Sequence, residues 1–184
     1  MDSEEQHEEQ GSVEDSEQPD RPGERFVVLL RHGIAEEAAP GQSDEDRELT
    51  AEGAMKMNDI ARGLHELLPK VRVVYASPLV RAVQTAQRLQ KRYGKKLALA
   101  TTDALRPGTD PSEAMEIVRS SSDRRIILVG HEPHLTTTML TWTGMREVEG
   151  LTLKKGGCYG IRISGSDIAL EWMLPPRVLR RVRG

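Results

Sequence analysis

The chain has 184 residues, 30% charged and 37% hydrophobic, with a formal net charge of −3 at pH 7; that is one domain of ordinary size. It has neither the run of about 20 apolar residues that spans a bilayer nor a basic-then-apolar opening segment, so no membrane partner and a cytoplasmic setting are expected. Cys158 is the single cysteine, which excludes an intramolecular disulfide framework and a thiolate-rich zinc site, and the 3% aromatic content leaves few platforms for stacking bases, so no nucleic-acid partner is expected.

The charge is uneven along the chain. Residues 1–24 hold ten Asp or Glu against Arg21 alone, a balance of −9 that leaves +6 for the rest. So few apolar groups cannot offset ordering entropy, and 1–24 is read as a disordered acidic tail, serving solubility or masking a basic site. The folded domain is expected over 25–184, its positive balance suiting an anionic substrate.

Residues 26–30 (FVVLL) form an unbroken apolar run and read as a strand buried on both faces. Thr50 then caps a helical pattern in which Met57, Ile60, Ala61, Leu64, Leu67 and Leu68 recur every three or four residues, with Pro69 as its stop. Residues 71–76 (VRVVYA) read as a second strand. Ser77 as N-cap and Pro78 at the first helical position predict a helix from there to about Tyr93, ended by Gly94. A weaker strand is expected over 97–100 and a short helix over 111–119. Residues 125–129 (RIILV) read as a fourth buried strand, followed by a helix from Pro133. Two later strands, 158–163 and 168–174, flank a turn at 164–166. The alternation predicts an α/β three-layer sandwich with a mostly parallel central sheet.

Ligands in such folds bind beyond the carboxyl ends of the strands. That rule selects Arg31-His32-Gly33, residues 77–81 and Gly130-His131. A neutral imidazole held through one nitrogen is a nucleophile toward phosphorus. Arginine forks match phosphate oxygens and keep their charge, and a helix N-terminus near Ser77 adds N–H donors. Arg31 and Arg81 supply two guanidinium groups, and His32 and His131 two imidazoles. Neighbouring arginines should also keep His32 neutral.

These residues carry a resemblance. Leu29-Leu30-Arg31-His32-Gly33, the Ser-Pro-Leu-Val-Arg-Ala-Val-Gln-Thr-Ala run at 77–86, and Val129-Gly130-His131 resemble the histidine phosphatase superfamily, which includes phosphoglycerate mutase-like enzymes. Small size, Arg47-Glu48-Leu49-Thr50 with Gly53, Leu105-Arg106-Pro107, and the stretch from Trp172 to Pro175 resemble its SixA-type phosphohistidine phosphatases. The resemblance covers about 26–180 and implies a phosphoglycerate mutase-like fold. It implies His32 as the phosphate-accepting nucleophile, Arg31 and Arg81 as clamps on the phosphoryl oxygens, and His131 as a donor to the transferring group. It implies no metal and no organic cofactor. Mutase-like members carry a glutamate two residues after the leucine that follows the third strand; here Pro107 stands there, as in SixA-type members, and an imidazole leaving group needs less acid assistance than an alkoxide. Glu36, Asp110 and Glu113 are the carboxylates expected to substitute.

Other readings stand beside these. Ser77 either touches phosphate or only caps its helix, and Gly33 joins the substrate-binding set. Arg47 and Arg106 either line the mouth of the site or lie on the surface. His131 with His134 has a metal-like spacing but lacks a third ligand. Arg177, Arg180, Arg181 and Arg183 read as a solvated tail. The expected activity is hydrolysis of phosphohistidine on a protein. The alternatives are a small-molecule phosphomonoesterase and a non-catalytic phosphate-binding module.

Overall fold

The computed structural model describes residues 23–183. Most of the acidic segment 1–24 therefore lies outside the described residues. Its last two residues do not: Gly23 lies in a turn, and Glu24 opens the first strand and pairs with Ser164.

The elements in chain order are β1 (Glu24–Arg31), α1 (Ala51–Leu67), β2 (Val73–Ala76), α2 (Val80–Tyr93), β3 (Ala98–Thr101), α3 (Pro111–Ser120), β4 (Arg125–Gly130), α4 (His134–Thr143), β5 (Cys158–Ser164), β6 (Asp167–Leu174) and α5 (Pro176–Leu179). The six strands form one sheet in the order β3-β2-β4-β1-β5-β6. β3, β2, β4 and β1 run parallel, while β5 and β6 are antiparallel. The unbroken apolar runs follow from this position. In β1, Val28 and Leu30 enter one core and Val27 and Leu29 the other; in β4, Ile127 and Val129 oppose Ile126 and Leu128 in the same way. Successive side chains of a strand point to opposite faces, so a strand covered on both sides needs apolar residues throughout. α1, α2 and α5 cover one face, and α3 and α4 the other.

Three local expectations change. Ser77 does not cap α2: its N–H still pairs with the Val129 carbonyl at 2.9 Å, which extends the β geometry, so the helix starts after Leu79. β3 is shifted one residue toward the C-terminus, to Ala98–Thr101. At the arginine-rich end Arg177, Arg181 and Arg183 are exposed as expected and Arg180 is half-buried, but the segment that carries them is anchored. Leu179 of α5 is fully buried, and a methyl group on Gly63 would lie 2.0 Å from its carbonyl oxygen, so only glycine lets α1 approach this segment so closely.

Candidate active site

β4 lies between β1 and β2, and this order gathers the site. Arg31 pairs with Gly130 across β1 and β4, and Ala76 with Val129 across β2 and β4. His32 and His131 each follow one member of the Arg31–Gly130 pair. The two segments are still joined here, His32 N–H donating to the Gly130 carbonyl at 3.1 Å. The two rings face one another at 5.0 Å between centroids and 52° between planes.

His32 is buried, and its Nδ1 lies 2.7 Å from the Gly33 carbonyl oxygen. A carbonyl only accepts, so Nδ1 carries the proton and the lone pair is left on Nε2. Burial, the His131 ring, Arg81 and Arg31 together push the His32 pKa down to about 3. Burial and then Arg81 do the same to His131, again to about 3, against a smaller upward pull from Asp44. Both imidazoles are therefore neutral at pH 7. Neither ring nitrogen of His131 has a hydrogen-bond partner among the described residues, nor does Nε of Arg31 or of Arg81. Buried nitrogens of this kind mark a place where a polar ligand or water is received.

Arg81 projects from the first turn of α2 and is 5% exposed. Its Nη1 donates to the Asp44 carbonyl at 2.6 Å and its Nη2 to the Asp44 carboxylate at 2.8 Å. No side chain caps α2, and its dipole favours an anion at that end. Nη1 of Arg31 donates to the Leu153 carbonyl. Burial lowers the Arg31 pKa, and the Glu132 carboxylate partly opposes that.

The other expected residues take different places. The Gly33 N–H is spent on Thr85 Oγ1 at 3.0 Å, and the Gly33 carbonyl on His32, so Gly33 orients the imidazole. The hydroxyl of Ser77 accepts a long bond, 3.4 Å, from Leu79 N–H. None of the three carboxylates expected to substitute as the acid hydrogen-bonds to His32 or His131. Glu36 is exposed, with its main chain bonded to Glu48 and Arg47. Asp110 caps α3 through Ser112 N–H, and Asp110 and Glu113 act electrostatically on His134. His134 is a buried residue of α4 bonded to Thr109 at 3.2 Å. Arg47 binds Asp44, and Arg106 binds Glu45 and Asp103. No group of three or more His, Cys, Asp or Glu with metal-holding geometry occurs among the described residues, and no described helix is long and apolar enough to cross a membrane.

Three residues escaped the sequence reading. Asp44 meets Arg81. Glu132 accepts from Thr136 Oγ1 at 2.8 Å and Leu153 N–H at 2.9 Å, tying the segment before β5 to the site. Thr85 bridges Gly33 and the Arg81 carbonyl, at 2.7 Å to the latter. Glu132 had a signal in its place beside His131, and Thr85 in its place one helical turn after Arg81. Asp44 had none, being one of six carboxylates between residues 36 and 48.

Comparison with known proteins bears on the family and the fold. The model of the histidine phosphatase superfamily, branch 1, matches residues 27–107. A protein of Picosynechococcus sp., itself uncharacterized, is 30% identical over 168 residues, spanning 81% of this chain and 99% of that protein. The protein histidine phosphatase SixA complexed with tungstate superposes with a TM-score of 0.74 at 19% identity, over 84% of this chain and 99% of that one. Phosphoserine phosphatase from Entamoeba histolytica, in complex with phosphoserine, superposes at 0.68 with 16% identity, over 86% and 100% of the two chains. At such identities the structural likeness is one of fold. Strand order, the sequence match to the first half of the domain and the paired strand-end histidines converge: this chain belongs to the histidine phosphatase superfamily, a group of phosphatases and mutases.

Proposed function

We propose that the protein is a phosphatase that hydrolyses phosphohistidine, carried on a protein, through a covalent phosphohistidine at His32. The carrying observation is the pair of neutral, buried imidazoles 5.0 Å apart between two arginines. Nε2 of His32 attacks phosphorus, and the bond from phosphorus to the substrate's imidazole nitrogen breaks. Arg31 and Arg81 neutralise charge on the phosphoryl oxygens, an electrostatic service worth about 10²–10³ in rate per donor in comparable sites. His131 faces His32 across the group and donates a hydrogen bond to it. The departing nitrogen takes its proton from solvent. Water then attacks the phosphorus on His32, inorganic phosphate leaves, and Nε2 regains its lone pair. Ser77, buried beside the end of β2, and Gly33, which orients His32, complete the set.

The choice of phosphohistidine over phosphate esters rests on the missing acid. Asp44 is held below the usual carboxylate range first of all by its bond to Arg47, which does not involve Arg81, and the Glu132 carboxylate is occupied by Thr136 and Leu153. Neither is then a ready proton donor to an alkoxide, whereas an imidazole leaving group needs less of that help and can take its proton from solvent. The test compares a histidine-phosphorylated protein with a phosphoserine protein and sugar phosphates, and traps the intermediate with labelled substrate. Phosphohistidine should turn over fastest and leave an acid-labile, base-stable label that maps to His32 and disappears in His32→Ala. Faster turnover of sugar phosphates would favour the phosphomonoesterase reading. Phosphate binding with no turnover of any substrate would leave a binding module.

A further inference from the structure

The terminal nitrogens of Arg81 are not free to meet a substrate. Both are engaged by one residue, Asp44, through its carbonyl at 2.6 Å and its carboxylate at 2.8 Å. An arginine fork that clamps a phosphoryl group uses two parallel N–H bonds, so a phosphate taking that edge competes with Asp44 directly. The partners are unequally anchored. The Arg81 side chain is 6% exposed on α2, while that of Asp44 is 61% exposed. Asp44 belongs to a short 3-10 turn, Asp44–Asp46, in which none of the residues is buried. The turn is fastened by exposed contacts: Arg47 to the second carboxylate oxygen at 2.8 Å, Arg106 to Glu45, and Gln42 to the Asp46 carbonyl at 3.1 Å. Exposed ion pairs contribute little, because water and salt screen them. When a dianion arrives, the exposed turn yields and the buried arginine stays.

We infer that Asp44 is an internal stand-in for the substrate's phosphoryl group: it holds the seat on Arg81, gives it up when substrate binds, and reclaims it as inorganic phosphate leaves. This rests on the reading that Arg31, His32, Arg81 and His131 surround the phosphoryl group. The opposite role would be a brace that orients Arg81 for phosphate, and the two roles predict opposite signs. Asp44→Asn keeps the shape and the carbonyl contact but removes the competing charge.

Calorimetric titration with inorganic phosphate, with KM and kcat measured alongside, decides between them. A competitor predicts that Asp44→Asn binds phosphate more tightly, by at least about fivefold, the value of a fully exposed pair being a lower bound where the arginine is buried, with KM falling in step. Asp46→Asn removes the same charge from the same turn without a recorded contact to Arg81, and should change phosphate affinity by less than about half as much on a logarithmic scale, since an exposed charge at a distance is screened. Weaker or unchanged phosphate binding in a folded Asp44→Asn protein overturns the inference, as does an equal gain in Asp46→Asn. If the wild type binds phosphate but turns over nothing, the phosphatase reading falls while the Asp44 comparison still stands or fails by its sign. If neither wild type nor variant binds phosphate, both readings fall.

Discussion

At the scale of single residues, the site depends on hydrogen bonds that set one atom's state. The Gly33 carbonyl holds the His32 proton on Nδ1 and so leaves Nε2 as the nucleophilic nitrogen. Thr85 does comparable work for the backbone. It accepts the Gly33 N–H and donates to the Arg81 carbonyl from a fully buried position, joining the first motif to the second. Thr85→Val keeps the shape and removes both bonds, leaving a buried donor unpaired. We expect a loss of about 1–3 kcal/mol in urea denaturation, together with a fall in kcat that exceeds any change in KM, because His32 loses its fixed pose. Wild-type stability in that variant would show that the bridge is incidental.

At the scale of elements, close approach does what side chains cannot. α1 nears the chain at two glycines. A methyl group on Gly53 would lie 2.1 Å from the Ile34 carbonyl oxygen, and one on Gly63 would lie 2.0 Å from that of Leu179. Both obstacles are backbone atoms, so no rotamer change relieves them. Gly53 thereby holds the segment leaving His32 and Gly33 against α1, and Gly63 docks α5. Gly63→Ala should cost about 1–3 kcal/mol as an overpacked contact and expose the chain after Pro175 to limited proteolysis. Unchanged proteolysis at the C-terminus would show that α5 is not held by this contact.

At the scale of the whole molecule, the buried histidines link folding to pH. His32 and His131 titrate at about 3 in the folded protein, against 6.5 for a free side chain. Between those values the unfolded chain binds more protons than the folded one, so stability is full above about pH 6.5 and is lost as the pH falls toward 3. Each such histidine contributes a slope of about 1.4 kcal/mol per pH unit in that window. Urea midpoints from pH 7 to pH 5 should therefore fall steeply for the wild type and less so for a His32→Gln, His131→Gln double variant. An identical slope in both would show that these rings accept protons freely in the fold.

Much of this was legible before any fold was known, because strand and helix periodicity and strand-end residues are local signals. The sequence alone determined the α/β class, the buried parallel strands, the α1 pattern with its Thr50 cap, and which two histidines and two arginines lie at strand or helix ends. Three things were decided only by tertiary structure. Pairing β4 with β1 set the two imidazole rings 5.0 Å apart. Folding of the 34–50 segment selected Asp44, out of several equivalent carboxylates, as the partner of Arg81. Docking of α5 turned an arginine-rich end into part of the α1 packing. Each is a contact between residues distant along the chain, and such contacts exist only once the sheet has fixed its strand order and burial has removed the water that would otherwise satisfy the same groups.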